Sequence, residues 1–265
     1  MSSILERLAA VNSLNASELA AEFGVSAATL RRDLQMLEDQ HLLARTHGGA
    51  LAQSVAYELP VRYRGGQNRE QKQQIAAMAA SLLPRGKLTL GLTGGTTTSE
   101  VARKIANRVD LTVVTNALNI AAELAMRPRI KILMTGGVAR AQSYEVVGPF
   151  AEQTLRGLNI EVAVVGVDGI SAEGGLTTHD EVEAHTNACM IERSARCIMV
   201  ADGSKIGRVL LARICPISRV TELITDDSAD ESALEELRRA GVTVHVLAGW
   251  STQVTGPKAQ GIPAP

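Results

Sequence analysis

Seven short apolar runs recur along the C-terminal two-thirds of the chain, and most of them are followed by a helical pattern. Strands that alternate with helices favour a parallel sheet, because each helix carries the chain back before the next strand begins. The sequence therefore predicts an α/β domain with a mostly parallel sheet. The seven runs are Leu88–Leu92, Leu111–Val114, Ile130–Met134, Val162–Val167, Cys197–Val200, Leu223–Thr225 and Val242–Leu247.

The chain divides into parts of different texture. The first fifty residues show short helices with tight breaks, and the α/β pattern begins near residue 73. Between them lies a polar stretch with Pro60 and Gly65-Gly66 and no clear period, which is typical of a linker with a short helix at its end. We therefore predict a small N-terminal domain over 1–55, a linker over 56–72, an α/β domain over 73–248 and a disordered tail over 249–265.

Composition excludes several classes of protein. The chain of 265 residues has 27 Lys and Arg against 28 Asp and Glu, a net charge of −1. No global basic field attracts nucleic acid, so any contact with DNA must come from a local patch. One Trp, three Tyr and two Phe are too few for the stacking platforms that bind RNA or single strands.

The N-terminus and the cysteines bear on location. The first residues lack the charged start and apolar core of a signal peptide, and no run approaches the roughly 18 apolar residues of a membrane span. Cys189, Cys197 and Cys215 form no Cys-x-x-Cys pair, and their odd number predicts reduced, mostly buried thiols in the cytoplasm. His185 and Cys189 share a helix face, but two ligands without a second pair do not make a metal site. We expect neither a metal nor a cofactor.

Cap residues predict three helices in the N-terminal domain. A Ser or Asn begins each helix, and a Glu three residues later completes a capping box for the first two. The second helix stops at Gly24, and the third runs from Ala27 to about Gln40. Two helices separated by this short break have the spacing of a helix-turn-helix. The predicted caps are Ser3 with Glu6, Asn15 with Glu18, and Ser26, and the inward leucines of the third helix are Leu30, Leu34 and Leu37.

The outward face of the third helix carries groups that can contact DNA. Small residues at its start allow close entry into the major groove, Arg and Gln can read base edges, and Ser and Thr can hold phosphates. The run Leu42–Ala50 predicts a short hairpin, or wing, that would lie against the DNA backbone or minor groove. An alternative is an ordinary three-helix bundle with a solvated arginine face, since this segment is not basic overall. The residues predicted to contact DNA are Ser26, Ala28, Thr29, Arg31, Arg32 and Gln35 on the helix, with Arg45 and His47 at the tip of the hairpin.

Three strings in this domain are distinctive for their order and spacing. They are Leu19–Ser26, Thr29–Leu34 with its Arg-Arg-Asp-Leu, and Leu42–Ala50 with its Thr-His-Gly-Gly-Ala. Together they closely resemble the DeoR/GlpR family of bacterial transcriptional regulators. The resemblance implies a winged helix-turn-helix that binds double-stranded operator DNA as a dimer or higher oligomer.

A loop rich in glycine and threonine follows the first predicted strand. Residues 93–98, Thr-Gly-Gly-Thr-Thr-Thr, open a helix, so the backbone can approach an anion and free N–H groups can bind it. The loop is not a Walker A motif, because no Gly-Lys-Ser or Gly-Lys-Thr follows it. It is not a Rossmann fingerprint either, because Gly-x-Gly-x-x-Gly is absent. A small phosphate monoester fits such a loop, and a plain strand-to-helix turn is the alternative.

Polar residues follow the other predicted strands as well. The carboxyl ends of parallel strands meet at one edge of the sheet, where ligands bind. Amide, hydroxyl, carboxylate and ammonium groups at that edge would suit a phosphorylated, polyhydroxylated ligand, although His179 or Glu183 taken singly could be a cap or a solvated charge. The runs are Thr115-Asn116, Thr135-Gly136-Gly137, Asp168-Gly169 and Asp202–Lys205, with Gly174–Glu181 beside them.

These runs also match the sensor half of the DeoR family, so the resemblance covers residues 1 to about 248. That sensor is similar in fold to ribose-5-phosphate isomerase and glucosamine-6-phosphate deaminase, and in the family it binds phosphorylated sugars as inducers. The resemblance implies that the threonines of the loop and Lys205 hold the phosphate, while Asn116, Asp168 and Glu181 hold sugar hydroxyls. The implied effector-binding residues are Gly94, Gly95, Thr96, Thr97, Thr98, Asn116, Gly136, Gly137, Asp168, Thr178, Glu181 and Lys205.

The competing interpretation is a sugar-phosphate isomerase-like enzyme fused to a DNA-binding module. Isomerisation needs a general base and a second acid, and the predicted sheet edge has enough titratable groups. Ribose-5-phosphate isomerases, however, carry further acids after the Asp-Gly and a lysine before the glycine run, where this chain has Ile170-Ser171 and Glu173. The sequence therefore favours a sensor that is not an enzyme. The titratable groups are Asp168, Asp180, Glu181, Glu183 and Lys205.

The residues and the resemblance together predict a cytoplasmic repressor of a carbohydrate catabolism operon. A phosphorylated sugar would release it from operator DNA, and the run Thr177–Ala184 is most similar to regulators of amino-sugar or galactitol/tagatose-type catabolism. We expect a homodimer or homotetramer, because winged dimers read paired half-sites, and no association with membranes. Activation in place of repression stays open.

Overall fold

The computed structural model of the chain describes residues 1–11, 13–40, 42–51 and 58–248. The predicted disordered tail, 249–265, lies outside these residues. Within the described ranges no helix has the length and apolar character needed to cross a membrane. In the same ranges no group of three or more His, Cys, Asp or Glu side chains is arranged to hold a metal ion.

The N-terminal domain contains the predicted helices and the predicted hairpin. A short strand before the second helix was not expected, because three residues are too few to show an alternating pattern. It pairs with the second hairpin strand, which thereby becomes the middle strand of a small antiparallel sheet. The elements are α1 (Ser2–Val11), β1 (Ser13–Asn15), α2 (Ala16–Glu22), α3 (Ala27–Asp39), β2 (Ala44–Thr46) and β3 (Gly49–Leu51).

Two of the three predicted helix caps are confirmed. The side chains of Asn15 and Ser26 accept backbone N–H groups from the first turns of α2 and α3 at 2.8 and 3.1 Å. The predicted cap at Ser3 is wrong, because α1 already begins at Ser2 and the carbonyl of Met1 accepts the first helical N–H groups. Ser3 therefore lies inside the first turn of the helix.

The core of this domain forms around the inner face of α3. Leu30, Leu34 and Leu37 are at most 2% exposed and pack against apolar residues of α1, α2 and the hairpin. This confirms the predicted leucine face and directs the opposite face of α3 to solvent. Tyr63, from beyond the hairpin, joins the same core.

The described part of the predicted linker is folded. Residues 58–72 contain α4 (Val61–Arg64) and the beginning of α5 (Arg69–Leu82). Tyr63 packs in the N-terminal core, whereas Lys72 is buried in the α/β domain at 4% exposure. These side chains combine a polar tip with an apolar body, so a pattern of polarity along the sequence did not reveal their burial.

The α/β domain continues with alternating strands and helices. In chain order they are β4 (Leu88–Leu92), α6 (Thr96–Ile105), β5 (Leu111–Thr115), α7 (Leu118–Ala125), β6 (Ile130–Met134), β7 (Val138–Arg140), β8 (Glu145–Val147), α8 (Pro149–Arg156), β9 (Ile160–Val165), β10 (Gly169–Ser171), β11 (Gly175–Thr178), α9 (Glu181–Glu192), β12 (Ser194–Val200), β13 (Ala212–Cys215), β14 (Glu222–Asp226), α10 (Glu231–Arg239) and β15 (Thr243–Leu247).

Each of the seven predicted strands contributes to one sheet. Within residues 58–248 its order is β15-β14-β12-β9-β4-β5-β6, and every neighbouring pair is parallel. Successive residues of β9, Val164 and Val165, belong to two separate apolar clusters, so each face of the sheet is covered. The α/β prediction is confirmed. The order also brings the ends of β4, β9 and β12 together, because these strands are neighbours.

Short strands outside the main sheet were not predicted. The hairpin of β7 and β8 and the antiparallel group β10, β11 and β13 follow the carboxyl ends of the main strands. They place Glu145, Asp168 and Thr178 beside the loop of residues 93–98, called the glycine loop below. They therefore shape the edge at which a ligand is expected.

The cysteines lie in the core, as predicted. Cys189, Cys197 and Cys215 are free and buried. Burial raises the pKa of Cys197 to about 12 and that of Cys215 to about 11, which disfavours the reactive thiolate.

Candidate functional site

The residues predicted to contact DNA form an exposed surface on α3 and the wing. All eight of them are exposed. Arg31 and Arg32 make no hydrogen bond or ion pair with any residue in the described ranges, so both guanidinium groups stand free in solvent. Ser26 and Thr29 share a hydrogen bond of 2.8 Å between their hydroxyl oxygens at the start of the helix.

The wing contacts α3 through Arg45, which requires a correction. Arg45 lies within β2, paired with Ala50, and only His47 lies in the turn at the hairpin tip. The guanidinium of Arg45 donates a hydrogen bond to Gln35, whose amide also donates to Asp39 at 2.9 Å. Gln35 must therefore exchange these partners before it can contact a base.

A cleft lies at the carboxyl edge of the sheet. Its volume is about 700 Å³ when measured out to the open mouth. Seven of the twelve predicted effector residues line it, and they come from four separate segments of the chain. They are Gly94, Gly95, Thr96, Thr97, Asp168, Thr178 and Lys205.

The glycine loop forms the floor of the cleft. Gly95 has a φ of 126°, a conformation that suits glycine, and it directly precedes the first turn of α6. The N–H of Gly94 donates to the carboxyl of Glu145 at 2.6 Å, so part of this loop already binds an acid. Thr96 and Thr97 of the first turn of α6 line the same space, and the N–H groups of a first helical turn have no partner within the helix.

Asp168 lies between two cations. Its Oδ1 accepts a hydrogen bond from Arg64 Nη1 at 2.6 Å and is 3.6 Å from Lys205 Nζ, while its Oδ2 lies 3.3 Å from the hydroxyl oxygen of Thr178. Burial alone would raise the pKa of this carboxyl, but Arg64 and Lys205 hold it below the ordinary value. Asp168 is therefore an ionised acceptor that faces the cleft.

A pair of buried carboxyl groups stands opposite the glycine loop. Burial raises the pKa of Glu145 well above the ordinary value, and repulsion from Glu183 raises it further. Burial also raises the pKa of Glu183, although Thr178 donates to it at 2.7 Å and Arg140 Nη1 lies 3.1 Å away. The buried pair therefore favours protonated carboxyl groups more than free glutamates do, which favours a hydrogen-bond donor beside the acceptors of the cleft.

Five predicted effector residues lie outside the lining of the cleft. Thr98 is fully buried and donates to the carbonyl of Gly95 at 3.1 Å, while Asn116 lies behind Asn187, to which it donates at 3.0 Å. Gly136 and Gly137 belong to the turn before β7, where Gly137 lies against the backbone of Val147.

Glu181 is exposed, and Glu183 lines the cleft instead. Two positions along a helix differ by about 200° in direction, so only one of these glutamates can face inward. Both lie in the same acidic run, which identified the helix but did not identify the inward residue.

Sequence reasoning missed the contribution of the segment before the α/β domain. Lys72 Nζ donates to the carbonyl of Gln67 at 2.7 Å and lies 3.9 Å from Asp202, and burial lowers the pKa of Lys72. A signal was available, since Lys72 falls in the apolar register of Ile75, Ala76 and Ala79. The residues that this segment adds to the cleft are Val61, Arg64, Gln67, Asn68 and Lys72.

Comparison with protein families decides the identity of the two domains. A family described as the DeoR-like helix-turn-helix domain matches residues 1–55, and one described as the DeoR C-terminal sensor domain matches residues 67–227. The chain belongs to the DeoR family. It is therefore a DNA-binding transcriptional regulator, and its α/β domain is a sensor domain.

Relatives agree with this assignment. A putative aga operon transcriptional repressor from Escherichia coli O157:H7 is 37% identical over 93% of this chain and 92% of its own length. The glycerol-3-phosphate regulon repressor from E. coli K12 is 32% identical over 88% of this chain and 92% of its own length. These relatives are named as repressors, so the DeoR-family chain is a regulator and not the isomerase of the competing interpretation.

Solved structures of other proteins match part of the chain at low sequence identity. Ribose 5-phosphate isomerase A from Methanocaldococcus jannaschii is 16% identical and matches 55% of this chain and 56% of its own, with a TM-score of 0.40. A similarity at this level does not establish a common fold.

Proposed function

We propose that this DeoR-family regulator represses a carbohydrate catabolism operon and leaves its operator when the cleft binds a phosphorylated sugar. The observation that carries the DNA half is the free pair of guanidinium groups on the outer face of α3, Arg31 and Arg32. Both are held outward by a buried leucine face, so they can enter the major groove without breaking an intramolecular contact. Arg45 and His47 of the wing, with Ser26, Ala28, Thr29 and Gln35, complete the proposed DNA-contacting set.

The effector half rests on the mixture of groups in the cleft. The first turn of α6 and Lys205 supply the N–H groups and the cation that favour a phosphate. Asp168, Thr178 and the Glu145–Glu183 pair supply donors and acceptors for hydroxyl groups. A sugar phosphate combines both kinds of group, and the names of the relatives, an aga operon repressor and a glycerol-3-phosphate regulon repressor, support carbohydrate control.

We further propose that the protein acts as a homodimer or homotetramer in the cytoplasm. One recognition helix contacts only a few base pairs, so two copies that read paired half-sites give the length of site that an operator requires. A regulator must also share its compartment with its DNA, and the free thiols of Cys189, Cys197 and Cys215 are consistent with a reducing cytoplasm.

Fluorescence anisotropy tests both halves. The duplex is one recovered from a random-sequence pool by the purified protein, and the ligands are glycerol 3-phosphate, a series of hexose and amino-hexose 6-phosphates, and inorganic phosphate. We expect saturable, salt-dependent binding that at least one ester weakens by about 5- to 150-fold. Binding that no ester changes would contradict the effector half, and no sequence-selective binding would contradict the DNA half.

Lys205→Gln tests whether the phosphate of the effector binds in the cleft beside Lys205. The change removes the cation beside Asp168, so the ester concentration that releases DNA should rise about tenfold or more, by the loss of one charge-assisted contact. Lys131→Gln is the matched control, because Lys131 is exposed on the edge strand β6 and should respond like the unchanged protein. An equal response of the two variants would place the phosphate elsewhere.

A further inference from the structure

The one-turn helix α4 touches the DNA-binding domain. The hydroxyl of Tyr63 donates to Gln40 Oε1 at 2.6 Å, and Arg62 Nη2 donates to the same oxygen at 3.0 Å. Gln40 directly follows the last residue of α3, the helix proposed to read DNA. Because Tyr63 is only 8% exposed and packs among the leucines of the winged core, α4 holds this end of α3 from the inside.

The next residue of α4 enters the effector cleft. Arg64 Nη1 donates to Asp168 Oδ1 at 2.6 Å, and Arg64 Nη2 lies 3.7 Å from Glu58. The buried Nε of Arg64 has no hydrogen-bond partner among the described residues, so one donor of this guanidinium remains unused. The carboxylate of Asp168 is thus a point at which a ligand and the protein's own Arg64 compete.

The backbone of α4 is anchored to the sensor at both ends. The N–H of Val61 donates to the carbonyl of Gln142 at 2.8 Å, and the buried Lys72 donates to the carbonyl of Arg64 at 3.1 Å. Tyr63 and Arg64 are adjacent residues of this single turn, so a displacement of Arg64 that strains the two anchors also moves Tyr63. The two contacts, one with Asp168 and one with Gln40, are therefore mechanically linked.

We propose that Arg64 is the positioning residue through which the cleft controls the recognition helix: a hydroxyl group of the sugar phosphate takes the place of Arg64 on Asp168, α4 shifts, and the hold of Tyr63 and Arg62 on Gln40 is released. This inference rests on the proposed function and names how that cleft is coupled to DNA. A buried guanidinium that loses Asp168 moves towards another carboxylate, and Glu58, 3.7 Å from Arg64 Nη2, is within reach, so this exchange supplies the driving force. The consequence is a changed orientation of α3 and a weaker match to paired half-sites.

The coupling factor is the measurement that tests the proposal. This factor is the dissociation constant for DNA at a saturating concentration of an ester from the series above, divided by the dissociation constant without ester. Linkage requires that DNA change the dissociation constant of the ester by the same factor. The two hydrogen bonds from Tyr63 and Arg62 to Gln40 are called the clasp here. Gln40→Ala removes both bonds and Tyr63→Phe removes the shorter one, and neither change lies in the cleft or on the exposed face of α3. We expect the coupling factor to fall towards one in both variants, while ester binding without DNA stays within about twofold of the unchanged protein.

Matched variants separate coupling from general disturbance. Gln74→Ala removes an exposed glutamine from α5 and should keep the original coupling factor. A merely structural role for the clasp would lower stability and leave the factor unchanged. Retention of the original factor in both Tyr63→Phe and Gln40→Ala would therefore overturn the proposal.

Arg64→Gln tests the proposal without any ligand. The change releases Asp168, so DNA affinity in the absence of ester should fall to about that of the ester-saturated protein. Arg69→Gln removes the same charge from an exposed position five residues further along the chain, and it should not change DNA affinity beyond about twofold. If no ester changes the DNA affinity of the unchanged protein, the effector half of the proposed function fails. The DNA affinity of Arg64→Gln still decides whether Arg64 is coupled to the DNA-binding domain. Equal affinities of Arg64→Gln and Arg69→Gln would overturn it.

Discussion

The proposed DNA-contacting face and the proposed effector cleft differ in how their charges are paired. Arg31 and Arg32 are exposed and free of intramolecular partners in the described ranges, whereas Asp168 in the cleft contacts both Arg64 and Lys205. DNA is a polyanion whose binding is driven by counterion release, so free cations are ready to bind it. A small ligand that enters the cleft must instead exchange partners with the protein.

This difference explains why one site is suited to binding DNA and the other to responding to a ligand. Arg31 and Arg32 can bind DNA without rearranging the fold, because neither side chain gives up an internal contact. A cleft whose groups are already paired binds only by breaking a pair, and the displaced group carries the effect elsewhere. The predictions below test each side of this contrast.

The largest effect is expected from the wing that supports the DNA-contacting face. A Cβ at Gly49 would overlap the backbone carbonyl of Leu14 in the neighbouring strand β1, whereas a Cβ at Gly48 meets nothing within 4 Å. Gly49→Ala should therefore destabilise the winged domain by several kcal/mol, on the order of 3 kcal/mol, and abolish DNA binding. Gly48→Ala should leave both nearly unchanged.

Thermal unfolding monitored by circular dichroism, with anisotropy for DNA binding, checks the glycine pair. Equal losses of stability and DNA affinity in Gly48→Ala and Gly49→Ala would show that the conformation of the turn, and not the close contact between β3 and β1, limits substitution. Retention of ester binding by Gly49→Ala would confirm that the disturbance is confined to the winged domain.

A smaller effect is expected at the free cations. Arg32→Ala should weaken DNA binding by about 1–3 kcal/mol if Arg32 contacts a base, or reduce the salt slope by about one if it contacts a phosphate. The measurement is anisotropy against salt concentration. Arg129→Ala removes an exposed arginine from the sensor domain and serves as the control. Unchanged affinity and salt slope in Arg32→Ala would return the N-terminal domain to the ordinary helix-bundle interpretation.

The smallest effect concerns the buried carboxyl pair, and it depends on pH. The pKa of Glu145 is raised by burial and by Glu183, so the folded protein favours the protonated carboxyl. The stability that this group contributes is complete below its unfolded pKa and is lost as pH rises towards the folded pKa. Glu145→Gln keeps the acceptor for the Gly94 N–H and cannot ionise, so it removes that loss.

We expect Glu145→Gln to raise Tm more at pH 8 than at pH 5, with a difference on the order of 2–4 °C. Glu173→Gln, at an exposed position in the same domain, should show no such dependence on pH. An equal gain at both pH values would mean that Glu145 does not change its protonation on unfolding across this range.

The order of residues within a single segment was enough to predict helix caps, the exposed face of a helix, the strands of the main sheet and the glycine loop. The cap at Ser26 and the leucines at intervals of three and four fixed which face of α3 is exposed, so the helical residues proposed to contact DNA followed from periodicity. The seven apolar runs gave the strands of the sheet, and the glycine loop was placed correctly because it directly follows the first of them. The cap at Ser3 failed because the backbone of Met1 performs that role.

The amino-acid sequence by itself determined the helices of the winged domain, the seven strands of the main sheet, the outward face of α3 and the edge of the sheet at which we expect a ligand to bind. Only the tertiary structure decided that Glu183 and not Glu181 faces the cleft, that Glu145 lies on the glycine loop, and that Arg64 reaches Asp168 across 104 positions of the chain. The physical reason is the range of the interactions. Helical and strand periods are set by neighbouring residues, whereas a buried ion pair forms between distant segments and depends on how the whole chain packs.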